Sequence, residues 1–295
     1  MFGYLTYSPL VRSVKKLLWY PVKRLRYRHA VDRVLTGDRT AVLVYQMGKV
    51  ASKSVALSVA RYPKISLFHL HILSPSNYDA AERQQRMLLG DNDVSYMLDA
   101  SRIVYQGLIA TGQPTKVITL VREPIGRNIS AYFQNLDFWW KRPDAHRSIP
   151  MTELVDRFLR DFPHQEPLTW FDNEFLPATG VDVYSQPFPQ QQGFQQIHAN
   201  PLDILVLRHD LDDRIKASCL GMMLAIDDFR LLRENTADGK RYREKYKEFQ
   251  KSVCLPSIYI DEMLGSKYAQ HFFPHEEIEQ VRKRWLRMGS SGESQ

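Results

Sequence analysis

The segment Ala41-Val-Leu-Val-Tyr-Gln-Met-Gly-Lys-Val-Ala-Ser-Lys-Ser54 divides into three parts. Ala41 to Tyr45 is a short apolar run, which predicts a buried strand. Gln46 to Ser52 is a tight polar loop. Val55 to Ala60 is apolar-periodic and predicts a helix. A loop between strand and helix presents unpaired backbone N–H groups at the helix N-terminus, where anions bind. Lys49 adds a mobile positive charge, and Ser52 and Ser54 add hydroxyl donors. The chemistry is that of a cradle for a phosphate or a sulfonate.

A Walker A loop has Gly, four residues, then Gly, Lys and Ser or Thr. Here Gly48 is followed by four residues and directly by Lys53-Ser54, so the second glycine is missing. Gly48-Lys-Val-Ala-Ser-Lys-Ser54 more closely resembles the 5′-phosphosulfate loop of carbohydrate sulfotransferases. There a Lys or Arg precedes small residues and a Ser or Thr. The resemblance assigns Gly48, Lys49, Val50, Ala51, Ser52, Lys53 and Ser54 to that group.

Val117-Ile-Thr-Leu-Val-Arg-Glu-Pro-Ile-Gly-Arg-Asn-Ile-Ser-Ala-Tyr-Phe133 repeats the strand, loop and helix order. Pro124 suits a first helical turn. Ile125, Ile129, Phe133 and Leu136 recur at helical spacing. Arg122 falls at the carboxyl end of the strand, where open α/β sheets bind ligands. The pattern Arg-(Asp/Glu)-Pro-x-x-Arg-x-x-Ser of the sulfotransferases is matched by Arg122, Glu123, Pro124, Arg127 and Ser130. By that resemblance Arg122 and Ser130 hold the 3′-phosphate of 3′-phosphoadenosine 5′-phosphosulfate. A guanidinium grips a phosphate bidentately and a hydroxyl completes its oxygen shell.

Further segments extend the likeness. They are Trp170 to Phe175, Gly180 to Tyr184, Ile204 to Leu211, Glu234 to Arg241 and Ser266 to Phe273. Together they resemble the bacterial capsular polysaccharide synthesis family, a sulfotransferase-like group, over roughly residues 40–287. The resemblance implies a P-loop-like α/β three-layer sandwich with a central parallel sheet. It also implies sulfuryl transfer to a carbohydrate hydroxyl, with a capsular or cell-surface glycan as acceptor.

The chain has 295 residues, 44% of them hydrophobic, enough for one large α/β domain. Two cysteines, Cys219 and Cys254, cannot form a disulfide framework, which fits a reducing, cytoplasmic setting. There is no run of eighteen apolar residues, and the N-terminus lacks a secretory apolar core. Much of the net charge of +7 sits between Arg12 and Arg33. Lys15, Lys16, Lys23, Arg24, Arg26 and Arg28 interleave there with Val11, Val14, Leu17, Leu18, Trp19, Val22 and Leu25. This is a basic amphipathic helix, expected to be interrupted at Pro21. It suits either the surface of an anionic membrane or packing on the domain with a solvated basic face. No nucleic-acid motif accompanies it, and no nucleic-acid partner is expected.

The expected organisation is a basic extension over 1–39, one α/β domain over 40–289 and a disordered tail over 290–295. Strands are expected at 41–45, 65–72, 117–121 and 204–208, with a short extended piece at 181–184. The Gln-rich stretch 187–199 reads as a hairpin or loop. Helices are expected from Pro124 to about Trp140, over Met151–Phe162, from Asp210 onward and over His275–Arg287. Alternating strands and helices give a parallel sheet with right-handed crossovers. The loops after the first and third strands then open at one sheet edge.

A kinase holds Mg²⁺ with a strand-end acid and a loop hydroxyl. The strand at 117–121 ends in Arg122 instead, which favours sulfuryl transfer without metal. Lys49 is placed to stabilise the leaving group. The acceptor hydroxyl needs a base. His69 and His71 fall on one face of the second strand, and His71 is nearer its carboxyl end. Asn77, Asp99 and Glu123 are further candidates. His69-x-His71 has no third ligand at a recognisable spacing, so no metal is expected. Two other readings are open: an ATP-dependent kinase or NTPase with a degenerate P-loop, and a non-catalytic nucleotide- or polyanion-binding protein.

Overall fold

The computed structural model describes residues 9–89, 96–232 and 241–290. The tail over 291–295 and most of Glu234–Arg241 lie outside the described residues. Five strands form one sheet: β1 (Thr40–Tyr45), β2 (Ile65–Leu70), β3 (Thr115–Val121), β4 (Phe194–Ala199) and β5 (Leu202–Arg208). Their order is β2-β1-β3-β5-β4. β2, β1, β3 and β5 run parallel, and β4 joins β5 antiparallel at one edge.

β1 is apolar from Ala41 to Tyr45, and all five residues are fully buried. A parallel strand covered on both faces has no polar side to show. The covering helices follow from the register. Val44 pairs with His69, and His69 meets Ser52 at the start of α2 (Ser52–Val59), so α2 covers that face. Ser66 points to the opposite face and donates to the carbonyl of Ala30 in α1 (Pro9–Leu35). Three layers result: helix, sheet, helix.

The expected elements shift in places. α1 runs unbroken through Pro21. β2 stops at Leu70, so His71 lies one residue beyond it. α3 (Tyr78–Leu89) and α4 (Tyr96–Val104) precede β3, the helix after Pro124 is α5 (Pro124–Gln134), and a separate turn follows over Leu136–Trp139. Residues 181–184 form a turn in which Asp182 Oδ1 accepts from the N–H of Tyr184 at 2.8 Å. The Gln-rich stretch supplies β4, and the last helices are α6 (Met151–Asp161), α7 (Asp213–Leu224), α8 (Arg243–Ser252), α9 (Ser257–Gly265), α10 (Lys267–Phe272) and α11 (His275–Ser290). α7 begins three residues later than expected, capped by Asp212, because Asp210 is taken by Arg208 at 2.6 Å.

Candidate functional site

The chain leaves β1 toward β2 on one side and returns to β3 on the other. The crevice between the carboxyl ends of β1 and β3 is therefore a topological switch point, where open α/β sheets bind ligands. The loop Gln46–Ala51 and Arg122 stand on its two sides.

The loop turns through two left-handed residues, Lys49 (φ 75°) and Ala51 (φ 63°), neither of them glycine. Ala51 has no side chain able to cap α2, and no side-chain cap is made at that helix start. A helix start in this state carries partial positive charge. Val50 is buried and anchors the loop, while Ala51 and Lys53 are exposed and Ser52 is buried.

Two arginines hold the loop carbonyls. Arg122 donates to the carbonyl of Lys49 at 3.1 Å, and Arg127 donates through Nε to the carbonyl of Gly48 at 2.9 Å. Arg127 is almost fully buried and pairs with Glu166 at 2.7 Å. Lys49 Nζ reaches Gln134 Oε1 at 2.5 Å. Residues 127, 130 and 134 share a face of α5, since three- and four-residue spacings are neighbours on a helix. Ser130 thus stands on the face that meets the loop, between its two contacts.

On the other side of the loop lie the histidines. Their rings are 5.3 Å apart. His69 Nε2 is 3.1 Å from Ser52 Oγ and 3.0 Å from Gln46 Nε2. His71 Nδ1 donates to the backbone carbonyl of Gln46 at 2.8 Å. That bond fixes the tautomer and leaves Nε2 of His71 as the basic nitrogen. His71 is exposed, although protein packed around its ring lowers its pKa; the Gln46 carbonyl opposes that shift. Burial, then the neighbouring His71, lowers His69 to about 4. Both rings are neutral at pH 7.

The other base candidates are engaged elsewhere. Glu123 caps α5 by accepting from the N–H of Gly126 at 2.8 Å. A Cβ on Gly126 would meet that oxygen at 2.2 Å, which explains the glycine. Burial raises the pKa of Glu123. Asn77 donates to Glu174, and Asp99 pairs with Arg24 at 3.4 Å.

Several bracing residues were given no role by the sequence. Glu174, buried in a π-helical turn, accepts from Tyr45, from the N–H groups of Leu73 and Ser74, and from Asn77. Gln46 is fully buried and touches Ser52 and both histidines. Tyr268 accepts from the N–H of Arg122 at 3.0 Å and donates to its carbonyl at 2.8 Å. Beyond Arg122, a cavity of about 330 Å³ is lined by His209, Asp210, Phe273, Glu277 and Arg284 among others. Burial, reinforced by Arg122, lowers His209 to about 3.

Glu166, Trp170, Glu174 and Tyr268 all belong to one stretch of the chain. Residues 151–274 are similar to the NKWYS family, described as "Putative capsular polysaccharide synthesis protein". No curated protein and no solved structure matches the chain. The NKWYS match excludes the Lys49 loop and Arg122, but it includes the residues that brace them. Glu166 holds Arg127, Tyr268 holds Arg122, and Trp170 Nε1 donates to the carbonyl of His71 at 3.4 Å. The NKWYS segment is therefore built into the switch-point crevice rather than set apart from it.

Proposed function

We propose that this protein is a sulfotransferase. It moves a sulfuryl group from 3′-phosphoadenosine 5′-phosphosulfate to a hydroxyl of a carbohydrate, a capsular or cell-surface glycan. The observation that carries the reading is the meeting of Lys49, the N-terminus of α2 and Arg122 at one switch point. The donor has three anionic groups to be held there. These cationic and N–H donors fit them. The similarity of residues 151–274 to a capsular polysaccharide synthesis family supports a glycan as acceptor.

The donor supplies a sulfuryl group already activated by its bond to the 5′-phosphate. As the acceptor oxygen bonds to sulfur, the bond from sulfur to the bridging oxygen breaks, and the electron pair stays on the 5′-phosphate. Lys49 is the loop cation that would stabilise that charge. His71 Nε2 takes the proton from the acceptor hydroxyl. His69, held by Ser52 and Gln46, orients the second face of this arrangement. Arg122, with Ser130 on the adjacent helix, holds the unreactive 3′-phosphate.

Phosphoryl transfer wants a carboxylate at a strand end for Mg²⁺. β1 and β3 are followed by Gln46 and Arg122, and Asp210 beyond β5 is tied to Arg208. The deciding experiment is mass-spectrometric detection of sulfated product from a glycan panel with isotopically labelled donor. Tight binding of adenosine 3′,5′-bisphosphate and weak binding of ATP with Mg²⁺ are expected. The opposite preference would overturn the reading.

A further inference from the structure

α1 holds the charge excess of the whole chain. Residues 9–35 contain eight Lys and Arg against one acid, Asp32, a surplus equal to the net charge of +7. The rest of the chain is balanced. One face of α1 is used by the fold. Val31 and Val34 are buried, Tyr27 lies against Phe68 with ring centroids 6.1 Å apart, and the carbonyl of Ala30 accepts from Ser66.

The opposite face is apolar and open. Val22 is 51% exposed and Leu25 62%, and Trp19, 61% exposed, stands at the edge of this face. At about 100° per residue, Val22 and Leu25 share a stripe bordered on one side by Arg26 and on the other by Arg28. Both arginines are exposed. Arg24, lower on the flank, is held by Asp99 at 3.4 Å. In the sequence, Val11, Val14 and Leu18 precede Val22 and Leu25 at spacings of three and four. An apolar stripe between basic borders is the pattern of a helix lying in a membrane interface.

We propose that α1 docks the protein flat on an anionic phospholipid bilayer. Val22 and Leu25 enter the boundary between headgroups and acyl chains, and Arg26 and Arg28 meet lipid phosphates. Charge selects this occupant. A second copy would bring an equally basic helix and be repelled, and nucleic acid offers nothing to an open Val and Leu stripe. Among the described residues no helix is long and apolar enough to cross a membrane, so α1 lies on the surface. The proposal is independent of the chemistry at the switch point.

The test is flotation of the full chain with vesicles of phosphatidylcholine alone and of phosphatidylcholine with about one-third phosphatidylglycerol. Binding to the anionic vesicles is expected, weakening as salt rises. Arg26→Glu with Arg28→Glu should weaken it about tenfold or more, since each basic residue near an anionic surface contributes about a factor of five. Val22→Glu with Leu25→Glu should also abolish flotation while leaving the buried face of α1 intact. A Trp19→Phe comparison guards against misfolded variants: wild-type emission should shift to the blue on anionic vesicles, and the shift should vanish without Trp19. Failure of the wild type to float with anionic vesicles would overturn the proposal. So would equal binding to both vesicle types, or a self-association that Val22→Glu and Leu25→Glu dissolve in the absence of lipid binding.

Discussion

Arg127 Nε donates to the carbonyl of Gly48, so a buried guanidinium on α5 sets the position of the loop that follows β1. Its partner Glu166 is half exposed, so the ion pair itself contributes little. The loss on removal comes from the orphaned carbonyl and the void. Arg127→Ala should therefore destabilise the fold by about 2–3 kcal/mol, read by urea denaturation. A change below about 0.5 kcal/mol would show that the loop is held by other contacts.

Arg122→Ala should behave differently. Its backbone, not its side chain, is fixed by Tyr268, so the strand end survives the substitution. Calorimetry should show weakened binding of adenosine 3′,5′-bisphosphate and a much smaller change for adenosine 5′-phosphate. Equal losses for the two nucleotides would remove Arg122 from the 3′-phosphate.

Lys49→Ala should lower kcat by about 10²–10³-fold, the usual worth of a group that stabilises developing charge. Nucleotide affinity should largely remain. Gln134→Ala, which removes one contact of Lys49, should leave kcat within a few-fold. A Lys49→Ala enzyme with unchanged turnover would take Lys49 out of the transfer step.

His71→Ala should abolish turnover and leave binding of adenosine 3′,5′-bisphosphate intact. The pKa of His71 is lowered, so the acidic limb of the rate profile should inflect below 6.5, the ordinary histidine value. The same sign governs stability. His69 titrates at about 4 when folded and near 6.5 when unfolded, so the unfolded chain binds more protons between these values. Its contribution is complete above about pH 6.5 and is lost as pH falls toward 4, by at most about 3 kcal/mol. His69→Gln should flatten that part of the pH dependence. An unaltered slope would mean that other groups, such as His209, carry it.

Ala51 is exposed yet left-handed, a conformation that costs a non-glycine residue about 1 kcal/mol. Ala51→Gly relieves this at some cost in unfolded-chain entropy, so a net gain of up to about 0.5 kcal/mol is expected. A loss in thermal stability would show that the loop favours the alanine.

The parallel core was legible because burial on both faces leaves continuous apolar runs. Ala41–Tyr45 and Val117–Val121 are such runs, and the strand-end loop and arginine follow directly from them. β4 was not legible as a strand, because an edge strand with Gln195, Gln196 and His198 shows little apolar alternation. The stretch 181–184 alternated convincingly, but Asp182 closes a turn on its own backbone. Asp210, Asp212 and Asp213 can all begin a helix, and only the three-dimensional pairing of Arg208 with Asp210 selects among them. The bracing roles of Gln46 and Glu174 were not legible for another reason. Gln46 meets His69 and His71 across 23 and 25 residues, and Glu174 meets Leu73 across 101. The π-helical turn that aims Glu174 inward has no local sequence rule.

The hydroxyl of Tyr268 closes on Arg122 from 146 residues away. On a ribosome adding roughly 5–20 residues per second, Tyr268 is made about 7–30 s after Arg122. Until then the end of β3 lacks the group that satisfies its last N–H and carbonyl. The nascent chain can pair β1, β2 and β3 early, but the crevice between β1 and β3 acquires its final brace only when the C-terminal helices arrive. A chain cut before α10 would retain Lys49, His71, Arg122 and Ser130 and still present an unfinished strand end, exposed to water and to other chains.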